Sequence, residues 1–139
     1  MTAKSVPQEE LVQIGVLAER VGLSLRTVRY YEEVGLLTPS ARSKGGFRLF
    51  GPQQEQRLLL LKTMKPLGFS LEEMSTLMSL LDDAARAHAG SKRAATLLVR
   101  IEDLRAEIAL RRANLTQQVA ATQQLTAALE SAARGITVA

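Results

Sequence analysis

No cysteine occurs anywhere in the 139-residue chain, which excludes disulfides and thiolate metal sites and agrees with a reducing cytoplasm. His88 is the single histidine, and one imidazole without neighbouring ligands is read as structural or exposed, so neither metal nor cofactor is expected. No apolar run approaches the roughly 20 residues needed to cross a bilayer. The opening MTAKSVPQEE lacks the apolar centre of a signal peptide, which predicts a soluble cytoplasmic protein with no membrane partner. There is no paired-carboxylate motif, no nucleophile with its base and no phosphate-cradling loop, since Gly45-Gly46 is not followed by Lys-Ser/Thr. An enzyme is not expected from this sequence.

One further absence shapes the architecture. From Lys92 to Ala133 there is neither proline nor glycine, and helix formers dominate. Such a helix is roughly 60 Å long at 1.5 Å per residue, too long to be buried against a small head. Leu97, Ile101, Leu104, Ile108 and Leu115 follow a 4-3-4-7 spacing, an a/d seam that skips Arg111 and continues weakly through Gln118 and Thr122 to Leu125 and Leu129. The spacing predicts coiled-coil dimerisation; the alternative is a helix lying on its own globular core.

Charge is plentiful and uneven. The formal net charge is +4 with a pI near 9.9, which favours a polyanionic partner. Residues 1–51 carry +2, 52–69 carry +2, 70–85 carry −4, 86–112 carry +4 and 113–139 are neutral.

The chain is organised around SLRTVRYYEEVGLL, residues 24–37. Ser24 suits an N-cap and Gly35 a left-handed C′ position, predicting a short helix. Leu25 and Val28 fall on one apolar face, while Arg26, Arg29 and Tyr30 project from the others. A preceding helical segment, Val16–Val21, is joined through Gly22 and is expected to bury Val16, Leu17 and Val21. Two helices across a tight glycine turn, the second bearing arginines early, form the pattern of a helix-turn-helix DNA reader. Leu11–Gln13 reads as a short extended lead-in. Thr38-Pro39 and residues 40–46 mark a loop, and Phe47–Phe50 alternates like a strand, giving a β-wing closed at Gly45-Gly46 with Arg42, Lys44 and Arg48 along one edge. Pro52 to about Lys65 reads as a helix, with Leu58, Leu59 and Leu61 apolar and Lys62 and Lys65 exposed, ended or kinked by Pro66. Ser70 with Glu73 makes a capping box for a helix to about Leu81. Residues 82–91 read as a connector, and Ser91 as the cap of the last helix.

The combination IGVLAERVGLSLRTVRYYEEVGLL, then ARSKGGFRLF, then LGFSLEEM, followed by a long helix, resembles the MerR family of bacterial transcription regulators. The match is in motif detail over residues 14–81 and in architecture beyond. The resemblance implies a mainly helical fold: a winged helix-turn-helix head at 11–81, the connector at 82–91, and at 92–133 an antiparallel coiled-coil helix that makes a homodimer, with flexible termini at 1–10 and 134–139. It implies a palindromic operator in double-stranded promoter DNA and control of RNA polymerase by distortion of the spacer.

Carried over by residue, Arg26 and Arg29 match groove-facing recognition positions beside Thr27, with Arg29 favoured for a base and Arg26 for a base or a phosphate. Tyr31 matches a phosphate-contacting tyrosine, or is a partly buried core residue, and Tyr30 is either. Arg48 matches the wing arginine, supported by Arg42 and Lys44 and flanked by Phe47; the alternative for these cations is a solvated surface. Lys62 and Lys65 extend the footprint. Phe47 and Phe50 stand where tyrosine is frequent in the family, which removes a phenol there and points Phe50 to the core. The roughly 30 residues after Leu110 are not expected to form a separate effector domain, so the effector is unreadable. Two other functions stay open: an architectural or recombination accessory DNA-binding protein, and a coiled-coil interaction protein.

Overall fold

A computed structural model describes residues 10–138; residues 1–9 of the expected flexible stretch 1–10, and Ala139, lie outside the described residues. The chain divides into two units, a head ending at Ser79 and an arm beginning at Leu80. In order come α1 (Ile14–Val21), α2 (Leu25–Glu33), β1 (Ala41–Arg42), β2 (Arg48–Leu49), α3 (Pro52–Met64), a 3-10 turn (Lys65–Leu67), α4 (Leu71–Arg86) and α5 (Lys92–Thr137).

The head is held by one apolar cluster to which every helix contributes: Leu17, Ala18 and Val21 from α1, Val28 and Tyr31 from α2, Leu58, Leu61 and Met64 from α3, and Met74 and Met78 from α4, with Leu36, Leu37 and Phe50 from the loops. Phe50 and Leu61 are completely buried, so truncating Leu61 to alanine costs about 2–5 kcal/mol. The face of α1 that packs is Ile14, Leu17, Ala18 and Val21. Val16, expected inside, is 45% exposed because it lies two residues off that stripe, and small Ala18 takes the core position instead. Leu25 is likewise exposed at the start of α2, where Val28 and Tyr31 supply the buried face. On α3 the core stripe is Leu58, Leu61 and Met64, and Leu59 points outward.

Helix ends follow the local chemistry. Gly22 ends α1 in the left-handed region, φ +69°, and Lys62 donates to the Val21 carbonyl at 2.9 Å, completing that end. Gly35 ends α2 at φ +84°. Its N–H donates to the Glu32 carbonyl at 3.1 Å and that of Leu36 to the Tyr31 carbonyl at 2.9 Å, a Schellman closure that also drives Leu36 into the core. Ser70 and Glu73 exchange bonds of 3.0 and 3.1 Å, the capping box expected for α4. Gln54 accepts from the Gly51 N–H at 2.7 Å at the start of α3.

The wing is a two-stranded antiparallel hairpin with Ala41 opposite Leu49 and Arg42 opposite Arg48. Ser43 and Phe47 close it through a 2.8 Å backbone bond, and Gly46 turns at φ +81°. Val12 bridges Phe50 by two 2.8 Å bonds, so the extended lead-in ties the base of the wing to the head.

In the arm, α4 continues to Arg86, five residues past the expected end at Leu81, because Ala84 and Ala85 favour helix and Arg86 pairs with Asp83 at 3.0 Å. The connector shrinks to residues 87–91. Ser91 caps α5 by accepting from the Ala94 N–H at 3.0 Å. That helix runs to Thr137, so residues 134–137, expected flexible, form its last turn. Asp83 also reaches Arg93 at 3.1 Å, which sets the first turn of α5 beside the end of α4. Leu97 is 2% exposed within one chain, so this first position of the expected seam needs no second copy to cover it. Ile101 and Leu104 are half-buried, whereas Ile108 and Leu115 are 40% and 45% exposed.

Candidate nucleic-acid interface

Helix α2 is fixed from below and bare above. Ser24 starts it, its hydroxyl accepting the Thr27 N–H at 3.0 Å and lying 2.8 Å from the Thr27 hydroxyl. Val28 and Tyr31 anchor one face in the core, and Arg26, Arg29 and Tyr30 are exposed on the other. Arginine donors on a helix held rigidly at its cap and base are the arrangement that reads guanine edges in a major groove.

Two furrows run along this ridge. One, about 420 Å³, is walled by Arg26, Thr27, Tyr30 and Tyr31 on α2 and by Lys65, Phe69, Leu71 and Met74 across from them. The other, about 1240 Å³, lies between α2 and the wing and includes Arg29, Arg42, Phe47 and Arg48. Arg26 and Tyr30 border both, so they stand on the crest between them. Arg26 and Arg29 thus project from a ridge with a furrow on each side, and Glu32 and Glu33 share the wall of the larger furrow.

Tyr31 is buried as the core reading expects, and its position leaves the phosphate reading open. Its ring is 4% exposed and belongs to the core. Among the described residues no buried side-chain polar atom lacks a partner, and no hydrogen bond between them ends on this hydroxyl. The phenol oxygen therefore reaches the surface at the wall of the smaller furrow. Burial, reinforced by neighbouring Tyr30, pushes its pKa above 10.0, so at neutral pH it is a proton donor. The Tyr30 ring lies 6.0 Å away at 45° and is exposed.

On the wing, Arg42 and Arg48 face each other across the hairpin, a like-charge pair that costs stability unless an anion lies between. Arg48 is oriented by Glu32 of α2, whose carboxylate takes its Nε–H at 2.8 Å; the arginine stays 55% exposed and has four further donors. Arg42 donates to the Gly46 carbonyl at 3.3 Å. Lys44 is exposed in the turn, outside both furrows. Phe47, at the tip, is 60% exposed, whereas Phe50 is fully buried. Lys65 joins the smaller furrow, but Lys62 belongs to neither and spends its ammonium on Val21. Glu32 escaped the sequence reading because a glutamate on a short helix carries no mark of its partner; so did Phe69 and Met74, whose place beside α2 depends on how α4 folds back.

Residues 12–81, half of the chain, match the model of the MerR HTH family regulatory protein, and residues 55–110 match that of the MerR DNA-binding region. The HTH-type transcriptional regulator CueR of Escherichia coli is 39% identical over 82 residues, covering 59% of this chain and 61% of that protein. Heavy metal-dependent transcription regulator 2 of Rhizobium meliloti is 29% identical over 119 residues, 86% of this chain and 72% of that one. Thus the chain spans 61% of the length of CueR. Among solved structures, HiNmlR, a MerR family regulator lacking the sensor domain and bound to promoter DNA, superposes with a TM-score of 0.64 at 24% identity, covering 84% of this chain and 88% of that one; at that identity the likeness is one of fold. A MerR family regulator from Listeria monocytogenes gives 0.52 at 27% identity over 76% and 79% of the two chains. With its head matched from the lead-in to the capping-box helix, the chain belongs to the MerR family.

Proposed function

We propose that the protein is a sequence-specific transcription regulator that binds a palindromic operator in promoter DNA as a homodimer and distorts the spacer to control RNA polymerase. The observation that carries this is the ridge of α2 between two furrows, with Arg26 and Tyr30 bordering both. Arg29 pairs with a guanine, and Arg26 takes a base or the adjacent phosphate. Tyr31 and Lys65 hold the backbone on one side, and Arg42, Lys44 and Arg48 hold it on the other, with Phe47 against the sugars. Lys62 is left out of this footprint because its ammonium caps α1.

The mechanism follows from how little one head reads. A recognition helix of 9 residues covers a few base pairs, so specificity needs two heads, and successive major-groove faces repeat about every 34 Å. Fixing two heads at a separation that relaxed DNA does not match makes binding energy offset DNA deformation of about 1–6 kcal/mol. Support comes from a relative named as a transcriptional regulator and from a structural neighbour described on promoter DNA.

The test is selection of bound duplexes from a random pool, followed by run-off transcription from a promoter whose spacer carries the selected site. An inverted repeat whose occupancy changes transcript yield is expected. Enrichment of no motif, or of a motif with no effect in the spacer, contradicts the proposal.

A further inference from the structure

Glu32 sits where a carboxylate has little reason to be. It lies in the last turn of α2, which holds no basic residue, and its side chain is only 11% exposed. The helix dipole disfavours an anion at that end, and a charge taken out of water persists only when it is paired. Arg29 stands at i,i+3 spacing on the same helix, the spacing of an intrahelical pair, yet it makes no ion pair among the described residues. The carboxylate instead takes the Nε–H of Arg48, on the wing, at 2.8 Å.

The wing depends on that bond as much as the helix does. Its strands are two residues each, and Arg48 stands opposite Arg42, so like charges face each other over a hairpin that is marginal by itself. Leu49 and Phe50 are buried at its base, where Val12 is bonded to Phe50. Among the described residues no other side-chain hydrogen bond or ion pair joins α2 to the wing. With its Nε–H committed to Glu32, Arg48 keeps four Nη donors for an anion on a side chain that is 55% exposed.

We propose that Glu32 is a positioning residue that sets specificity: by tying Arg48 to the recognition helix, it makes the wing's phosphate contact conditional on α2 lying in register with the bases. The inference rests on the DNA-binding reading of the proposed function. Phosphate contacts carry no sequence information by themselves and act by fixing register and orientation. An arginine on a free stem holds any phosphate within reach, on operator and on unrelated DNA alike. One fixed at its Nε to the helix that carries Arg26 and Arg29 meets a phosphate only where those two meet their bases. Glu32 also cancels one charge on each wing, which weakens the sequence-blind attraction that competes with the operator. Arginine is required at position 48, since one edge of the guanidinium serves Glu32 while the other serves phosphate; a lysine ammonium is a single point charge that does one or the other.

Glu32→Gln keeps the shape and an acceptor oxygen and removes the charge. Affinity for the selected operator and for scrambled duplex is measured across a range of salt for the wild type, Glu32→Gln, Arg48→Lys and their double variant. Glu33→Gln, which removes the same charge from an exposed neighbour in the same furrow wall, is measured beside them. Charge-assisted hydrogen bonds are about twice as strong as neutral ones, so Glu32→Gln should lower the operator-to-scrambled affinity ratio by roughly three- to tenfold per head. Operator binding weakens while scrambled binding strengthens, and the salt slope on scrambled DNA steepens by about one unit per head. Arg48→Lys should lower the ratio similarly, the double variant no further, and Glu33→Gln should shift both duplexes alike. An unchanged ratio in Glu32→Gln, an equal fall in Glu33→Gln or additive falls in the double variant each overturn the proposal. So does a parallel loss on both duplexes with lowered thermal stability, which marks a merely structural pair. Without DNA, the Arg48 Nε–H should exchange with solvent more slowly than that of exposed Arg29 and lose this protection in Glu32→Gln; equal exchange in the wild type overturns the tie to α2 whatever DNA does. A wild type that binds both duplexes equally overturns the DNA-binding reading itself, and the proposal with it.

Discussion

Replacing Tyr31 by phenylalanine removes one oxygen and leaves the ring. The ring is 4% exposed and fills the core beside α2, so the substitution preserves its volume and its contacts. No hydrogen bond among the described residues ends on the hydroxyl, so the substitution removes no internal partner there, and the change in stability should stay within about 0.5 kcal/mol. Binding should respond differently. The hydroxyl opens onto the furrow that holds Arg26 and Lys65, and a phenol donating to a phosphate oxygen contributes about 1.5–3 kcal/mol, a loss of roughly 10- to 150-fold per head. Fluorescence anisotropy with operator and with scrambled duplex, beside thermal unfolding of the same samples, separates the two effects. A phosphate contact is blind to sequence, so affinity should fall equally on both duplexes. Unchanged affinity would refute the phenol's place in the footprint, and a large drop in thermal stability would refute the surface position of the oxygen. The sign with pH follows from the raised pKa. The unfolded chain ionises Tyr31 first, so its contribution to stability is full below about pH 10 and is lost as pH rises through the higher folded value, leaving the phenol a donor throughout the physiological range.

Arg29→Ala should cost about 1–3 kcal/mol per half-site on operator and much less on scrambled DNA; equal losses would make it a phosphate anchor only. Two heads that together neutralise roughly eight phosphates should give a log-log salt slope near −7, and a flat plot would remove the wing and Lys65 from the footprint. Lys62→Met should lower stability by about 0.5–1.5 kcal/mol through the lost bond to Val21 and leave the salt slope unchanged, whereas a shallower slope would return Lys62 to the DNA surface. Leu104→Asp should cost several kcal/mol of dimer stability and operator affinity before helicity is lost; a variant that sediments as a dimer and binds normally would place the seam elsewhere.

Much of this was legible because local chemistry agreed with the fold. Ser24, Gly35, Ser70 with Glu73, and Ser91 each announce a helix end, and each does that work in the structure. The missing parts share a cause, which is that they depend on tertiary partners. Val16 and Leu25 are apolar in short helices whose periodicity is too brief to say which side is buried; only the positions of α3 and α4 decide. The end of α4 was misplaced because Asp82-Asp83 interrupts an apolar pattern, although Asp83 serves two arginines that hold the turn into α5. Lys62 reads as an exposed cation from α3 alone, and its job appears only when the end of α1 is brought to it. The candidate footprint reads from the sequence only as a set of residue types; the furrows that group Tyr31 with Lys65, and Arg29 with the wing, arise from how distant segments fold together.

The central claim is that two copies of α2 read an inverted repeat placed where a promoter spacer lies. Genome-wide footprinting at base-pair resolution tests it most directly. The account predicts protected inverted repeats lying between the two polymerase-contacting elements of a small number of promoters. Protection scattered without a shared sequence, or repeats lying away from promoters, would contradict it.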